Sequence, residues 1–333
     1  SVTQNKSNYY DYTFDLFANY NFELANHNFT TTVGTTFFRT WGDQLSATGF
    51  DVPNNSWDFA DIGLAQGPVE NNPSNSWNYD DRRLSYFGRL QYDFNGKYLL
   101  SAMIRRDEST LFHKDNRVEW FPSFTAGWIV SEEGFWGDAG FVNFMKIRGS
   151  WGQLGNDQVS GTYRSLLNGE GVYVLNGSIT NGLAIGGIPN KEMRWETAEK
   201  LDVGLDLNFF NNKLTFVADY FIDTRKDLLI NNIPISGIVG IGAPGSSAPT
   251  MNAGTVENRG FEFALNYNQK IGSDFSVSAG YNLTLIKNEV TEVNNSTGFM
   301  EGGAFGVGQP FPSRMEVGQP MGYFFGYQTN GIF

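Results

Sequence analysis

The sequence predicts an all-β fold: a stretch of transmembrane antiparallel β-barrel wall with long extracellular loops. Three observations carry this. Apolar and polar residues alternate with a period of two, the alternating segments run roughly 10 to 14 residues, and the connections between them are alternately short and long. A period of two sends successive side chains to opposite faces of a strand. Ordinary globular strands average about 5–6 residues, whereas a tilted strand that crosses a bilayer needs about 9–11.

The clearest pair lies near the middle of the chain. Leu201, Val203, Leu205, Leu207 and Phe209 form one row, against Asp202, Gly204, Asp206 and Asn208. After Asn211-Asn212-Lys213, the row Leu214, Phe216, Ala218, Tyr220, Ile222 faces away from Thr215, Asp219 and Asp223. The same pattern marks 12–23, 84–94, 261–268 and 275–286. Nothing reads as an amphipathic helix.

Strands are expected at 11–24, 29–40, 83–94, 97–107, 118–131, 143–154, 194–210, 213–227, 257–269, 274–289 and 314–327. Short linkers at 25–28, 95–96, 211–212 and 270–273 interleave with long ones at 41–82, 155–193, 228–256 and 290–313. Parity puts the intermediate 108–117 outside the cell and 132–142 in the periplasm. Outer-membrane barrels have short periplasmic turns and longer extracellular loops. A soluble sandwich has no reason to keep that parity. About eleven strands is an odd count, and bacterial single-chain barrels have even ones. Residues 1–333 are therefore expected to be a partial barrel domain, with the remaining strands outside it.

Composition narrows the function classes. The 333 residues carry a formal net charge of −12, which disfavours nucleic acid as a partner. No run of about 18 apolar residues exists, so a membrane-spanning helix is excluded. A mean hydropathy of −0.33 does not argue against a barrel, because only alternate strand residues meet lipid. Aromatics reach 16%, as interface girdles and sugar-binding surfaces both require. Cysteine is absent, which removes thiolate chemistry and cysteine metal sites.

Local motifs give no chemistry. Gly240-Ile241-Gly242-Ala243-Pro244-Gly245 matches a dinucleotide fingerprint in letters, but Pro244 and Pro249 forbid the helix that must follow. His27 in a tight turn and His113 in a loop have no partner at metal spacing and are expected to be solvated. The acids Asp43, Asp51, Asp58, Asp61, Asp80 and Asp81 are dispersed rather than caged as calcium requires. No catalytic residues, metal site or cofactor are expected, and no enzyme. The candidate ligand contacts are aromatics of two long connections: Trp41, Trp57, Trp77 and Tyr79, then Tyr163 and Tyr173. Flat rings stack on sugars or peptides, though they also pack on each other to hold a loop closed. Trp120, Trp128, Trp151 and Trp195 fall near strand ends, where interface anchoring is expected.

An ordered set of phrases resembles the SusC/RagA-like TonB-dependent transporters of Bacteroidota across most of the chain. These are SYFGRLQYDFNGKYLL at 85–100, Arg105-Arg106-Asp107, Phe121-Pro122-Ser123 and Ala126-Gly127-Trp128. KIRGSWGQLGN at 146–156, Arg194-Trp195-Glu196, DTRKDLL at 223–229, NAGTVENRGFE at 252–262 and GQPMGYFFGY at 318–327 follow in family order. One departure is Asp107-Glu108-Ser109-Thr110, where the family usually has Gly after the Asp. The resemblance implies a 22-stranded outer-membrane barrel around an N-terminal plug, which lies outside these residues. It also implies a SusD-like surface lipoprotein as lid, energy from a TonB–ExbB–ExbD complex engaging the plug, and import of oligosaccharides or peptides. The residues alone leave two alternatives open, a soluble all-β carbohydrate-binding module and a passive porin or adhesin.

Overall fold

Ten long strands lie side by side in one antiparallel sheet, each bonded to its neighbour along the chain. The computed structural model describes residues 1–54, 56–72, 75–137, 140–158, 166–231, 249–295, 297–303 and 311–331. The strands are β1 (Val2–Leu24), β2 (His27–Gly49), β3 (Trp77–Phe94), β4 (Tyr98–Ser109) and β5 (Val118–Ile129). They continue as β6 (Val142–Asn156), β7 (Glu196–Phe209), β8 (Leu214–Lys226), β9 (Gly254–Ile271) and β10 (Phe275–Val293). Among the described residues no second large sheet packs on this one, which displaces the soluble-sandwich alternative.

Register shows why this sequence needs a membrane. One row crosses all ten strands as Phe22, Phe29, Tyr92, Leu100, Ala126, Gly149, Val203, Tyr220, Phe261 and Leu285. One residue along, the opposite face reads Asn21, Thr30, Gln91, Ser101, Thr125, Ser150 and Asp202 over the first seven strands. Side chains of the apolar face are open, with Leu100 51% and Tyr281 62% exposed. A patch of this extent on a soluble monomer would drive association; against hydrocarbon it is solvated.

The apolar band has a boundary at each end. At the tight-turn end the rings of Phe22 and Phe29 stack at 4.6 Å, and Phe29 meets Tyr92 at 4.9 Å. His27 lies 4.7 Å from Phe94, and its Nδ1 is 2.7 Å from the Tyr92 hydroxyl. The expectation of a solvated His27 is thus corrected: its ring belongs to an aromatic girdle. His113 is corrected too, since its Nδ1 is 3.1 Å from Asp115. At the opposite end the same face carries ion pairs, Arg39 and Arg82 with Asp80, Arg106 with Glu108, and Lys226 with Glu199.

The tight turns are built from residues that accept positive φ. Asn95 and Gly96 adopt φ of 55° and 66°, and the Gly96 N–H donates to Asp93 at 2.7 Å. Phe210, Asn211 and Asn212 are all left-handed, and the Asn211 N–H donates to Asn143 Oδ1 at 2.5 Å. That bond ties the β7–β8 turn to the start of β6. In the 130–141 connection, Glu133 accepts from Tyr98 at 2.5 Å, Trp128 at 3.1 Å and Lys97 at 3.3 Å. The Tyr98 and Trp128 hydrogen bonds hold its carboxyl below the usual glutamate range.

Three expectations change. Strands β1 and β2 have 23 residues each, and at about 3.3 Å per residue they reach roughly 75 Å, far beyond one membrane crossing. Second, the long 155–193 connection contains a hairpin, Leu166–Leu175 with Ser178–Gly187, closed by Asn176-Gly177 at φ 52° and 78°. Asn-Gly is the strongest short hairpin signal, so this element was legible. Third, the expected strand 314–327 does not join the wall. Ser313–Glu316 and Tyr323–Phe324 instead form a small sheet with Phe299–Glu301. Gly318 and Gly322 at φ 84° and 73° turn the chain between them, and Gln319 O accepts from the Val290 N–H at 2.8 Å.

Candidate functional site

The loop-bearing end of the sheet gathers most of the candidate ligand contacts, though not in the loops where the sequence placed them. Trp41 lies on β2, and Trp77 and Tyr79 lie on β3, because both strands continue past the charged belt. There the alternation fades, since beyond the hydrocarbon neither face has lipid to satisfy. The register also separates these rings. Trp41 is on the apolar-band side, stacked on Tyr10 at 5.3 Å with Arg39 4.5 Å from its centroid. Trp77 and Tyr79 are on the other face, where Trp77 meets Tyr9 at 5.3 Å and Tyr79 at 5.6 Å. Gly42 makes this cluster possible, because a Cβ there would stand 3.0 Å from the Tyr79 ring and 2.6 Å from Asn8 O.

Trp57 and Tyr173 differ from these. Trp57 opens a 3-10 turn, Trp57–Phe59, and is 92% exposed; Tyr173 is 63% exposed on the added hairpin. Tyr163 lies outside the described residues, as does the glycine-rich motif at 240–245.

A packed crown of loop segments covers the polar face at this end, and no sequence pattern announced it. Phe112, Met193 and Trp195 bury against Phe121 of β5, with Leu229 alongside. The Trp195 Nε1–H donates to Arg117 O at 3.0 Å, so Trp195 is a core residue rather than an interface anchor. A second cluster joins Val256 and Val290 to Val293 and Met315. Asn252 links two loops: its Oδ1 accepts from the Arg194 N–H at 3.0 Å, and its Nδ2 donates to Arg194 O at 2.9 Å and Asp227 O at 2.8 Å. Arg194 also holds Asp227 at 2.6 Å, and that hydrogen bond raises the guanidinium pKa further. Arg83 Nε reaches buried Asp157 at 3.0 Å, spanning β4 and β5 in the sheet. Phe112, Met193 and Trp195 stand singly in connections, where no periodicity could expose them, while Phe121, Val256, Val290 and Val293 lie at the loop ends of strands.

Below the crown the polar face carries a charged wall. Arg148 on β6 donates to Asp202 at 3.0 Å and Asp206 at 3.3 Å on β7. It also touches Asp219 on β8 at 2.5 Å, off the axis of a hydrogen bond. Glu262 is opposite Asp219 on β9. This stretch therefore presents more carboxylates than cations. On the other face, hydrogen bonds from Arg82 and Arg39 hold the Asp80 carboxyl well below the usual range. Among the described residues no group of His, Asp and Glu could hold a metal ion.

An antiparallel wall with one apolar face, an aromatic girdle at the tight-turn end and ion pairs with loops at the other defines a transmembrane β-barrel segment. The chain belongs to the family described as TonB dependent receptor-like, beta-barrel, whose model matches residues 1–330, and it is an outer-membrane protein. It is 30% identical over 272 residues to TonB-dependent receptor P3 of Formosa agariphila, covering 81% of this chain and 26% of that protein. It is 32% identical over 214 residues to TonB-dependent receptor SusC of Bacteroides thetaiotaomicron, covering 63% of this chain and 21% of SusC. Among solved structures, the RagAB peptide transporter shares its fold with a TM-score of 0.78 at 22% identity, over 97% of this chain and 34% of that chain. The chain spans about a quarter of the length of the curated relatives it matches.

Proposed function

We propose that the full-length protein is an energised outer-membrane importer of the SusC/RagA type that takes up oligosaccharides or peptides. This segment would supply barrel wall and external loops, with no covalent chemistry of its own. The observation that carries the reading is the pairing of an inner face that is polar over the first seven strands with a packed crown above it: a lined path with a built mouth. The likeness to SusC and to RagAB supports the class, and RagAB is itself a peptide transporter.

In this reading a plug outside these residues fills the lumen and engages TonB–ExbB–ExbD, and a SusD-like lipoprotein closes the mouth. Exposed Trp57 and Tyr173 are the foremost ligand contacts. Trp41, Trp77 and Tyr79 serve mainly to stiffen the strand extensions, and Tyr163 completes the proposed set. Stacking rings beside Asn and Asp give large contact area at low entropic cost.

The test is deletion of the full-length gene, followed by growth on oligosaccharides and on peptides as sole carbon sources. Loss of growth on one class, restored by the intact gene only in a strain with functional TonB, is the expected result. Restored uptake without TonB would make the barrel a passive pore, and unimpaired growth on both classes would overturn the import reading.

A further inference from the structure

The line of outward rings at the tight-turn end is interrupted at β6. His27 lies 4.7 Å from Phe94, Phe94 6.1 Å from Tyr98, and Tyr98 6.5 Å from Trp128, which carries the line from β2 to β5. On β6 the residue opposite Trp128 is Ile147, and rings resume with Phe209 and Phe210 at the end of β7. The 130–141 connection stands in this interval, and it is fixed to the rings on both sides. Glu133 accepts from the Tyr98 hydroxyl, the Trp128 Nε1–H and Lys97 Nζ. Phe141 stacks on Phe209 at 6.1 Å and lies 6.3 Å from Phe210.

The residues that this tether leaves open are aromatic. The Glu133 N–H donates to Val130 O at 3.1 Å and the Trp136 N–H to Glu133 O at 3.0 Å, so Phe135 belongs to a tight turn built on the tethered residue. Phe135 is 72% exposed and Phe141 61%. The turns Asn95-Gly96, Asn211-Asn212-Lys213 and Gly272-Ser273-Asp274 hold no aromatic. Because the tether is made to outward rings, the surface continuous with Phe135 is the one that meets lipid, and amphipathic rings settle where hydrocarbon gives way to water. The Glu133 charge does not oppose this, since Lys97 pairs with it at 3.3 Å. Exposed Glu132 beside it limits the depth to the headgroup layer, because hydrocarbon does not accept a carboxylate.

We propose that the turn Glu133–Gly137 is a membrane anchor, with Phe135 and Trp136 among the phospholipid headgroups of the leaflet at the tight-turn end. The connection between β5 and β6 is then part of the girdle and not a free periplasmic loop. It fills the interval that β6 leaves between the rings of β5 and β7, and it fixes the depth at which this part of the wall sits.

The experiment uses the full-length protein in phospholipid nanodiscs, spin-labelled at an introduced cysteine. Gly134→Cys places the label inside the turn and leaves Phe135 and Trp136 intact; a Cβ there meets nothing within 4 Å. Accessibility of the label to oxygen and to a water-soluble nickel chelate reports its depth, with Leu100→Cys as the lipid reference and Asp58→Cys as the water reference. Heat-modifiable gel migration checks that each protein is folded. The Gly134→Cys label is expected between the two references, and to shift to the water value when Phe135→Ser and Trp136→Ser are added. A water value with both rings present would overturn the anchor. So would a depth that the two serine substitutions leave unchanged, or a label that neither reagent reaches, which would place the turn against protein.

Discussion

Arg148 reaches Asp219 by lying over Gly204. The arginine is on β6 and its partner on β8, so the guanidinium crosses the whole of β7 on the polar face. A Cβ at position 204 would stand 2.4 Å from both Arg148 Cζ and Asp219 Oδ1. Glycine here keeps the backbone low enough for one cation to bind three carboxylates on two strands.

Gly204→Ala should therefore act through that contact. The displaced atoms are side-chain ends, so the strand persists while Asp219 loses its cation, at a cost of roughly 1–3 kcal/mol. Asp219→Asn should mask the effect. In a double-mutant cycle read by urea unfolding of the refolded barrel, the two changes should couple by about 1 kcal/mol or more. Strict additivity would show that the glycine serves something else.

The two faces should tolerate charge differently. Leu207, Phe216, Leu265 and Tyr281 form one row across four strands, and Leu205 shares their face. Asp206, Asp219, Asn266 and Asn282 point the other way. Arg at a mid-membrane lipid-side position should cost about 2–4 kcal/mol, and little on the lumen side. Leu205→Arg should thus unfold the barrel at lower denaturant than Asp206→Arg. Equal midpoints would invert or erase the assignment.

Loop parity fixes orientation. An epitope inserted between Asn72 and Asn75 should bind antibody on intact cells, whereas one at Asn212 should react only after permeabilisation. The reverse labelling would turn the wall upside down.

Ligand and packing roles can be separated at two tryptophans. Trp57 is 92% exposed, so Trp57→Ala should leave stability unchanged and weaken ligand binding by roughly 1–3 kcal/mol. Trp77 packs on Tyr9 and Tyr79, so Trp77→Ala should loosen the β1–β3 extension, seen as faster proteolysis there. If affinity is unchanged in both, the proposed ligand role of these loops fails and the binding surface lies elsewhere.

Glu133 gives a pH signature. Its carboxylate is stabilised in the folded state by Tyr98, Trp128 and Lys97, so its folded pKa lies below the unfolded one. A depressed carboxylate pKa contributes stability above the unfolded value, lost as pH falls through the folded one. Glu133→Gln should therefore speed unfolding at neutral pH and make little difference in acid. A gap between variant and wild type that widens on acidification would contradict the arrangement.

The wall was legible because hydrocarbon imposes a rule on every second residue. Leu201 to Phe209 and Leu214 to Ile222 could be written as rows, and their register confirms them. The parity of the connections, the tight turns at Asn95-Gly96 and Asn211-Asn212, and the family resemblance were likewise in the sequence. Where that rule ends, so does the legibility. Val2 to Tyr10 and Gly42 to Gly49 pair in strands above the membrane, with no lipid to enforce alternation. Only the tertiary structure put Trp41 and Trp77 on opposite faces, buried Trp195 against Phe112 and Phe121, and carried Arg148 over Gly204 to Asp219. Each of those contacts joins residues whose meeting depends on how whole strands or loops are placed. Local spacing encodes which face a side chain takes, but the partner it meets there is chosen by the assembled sheet.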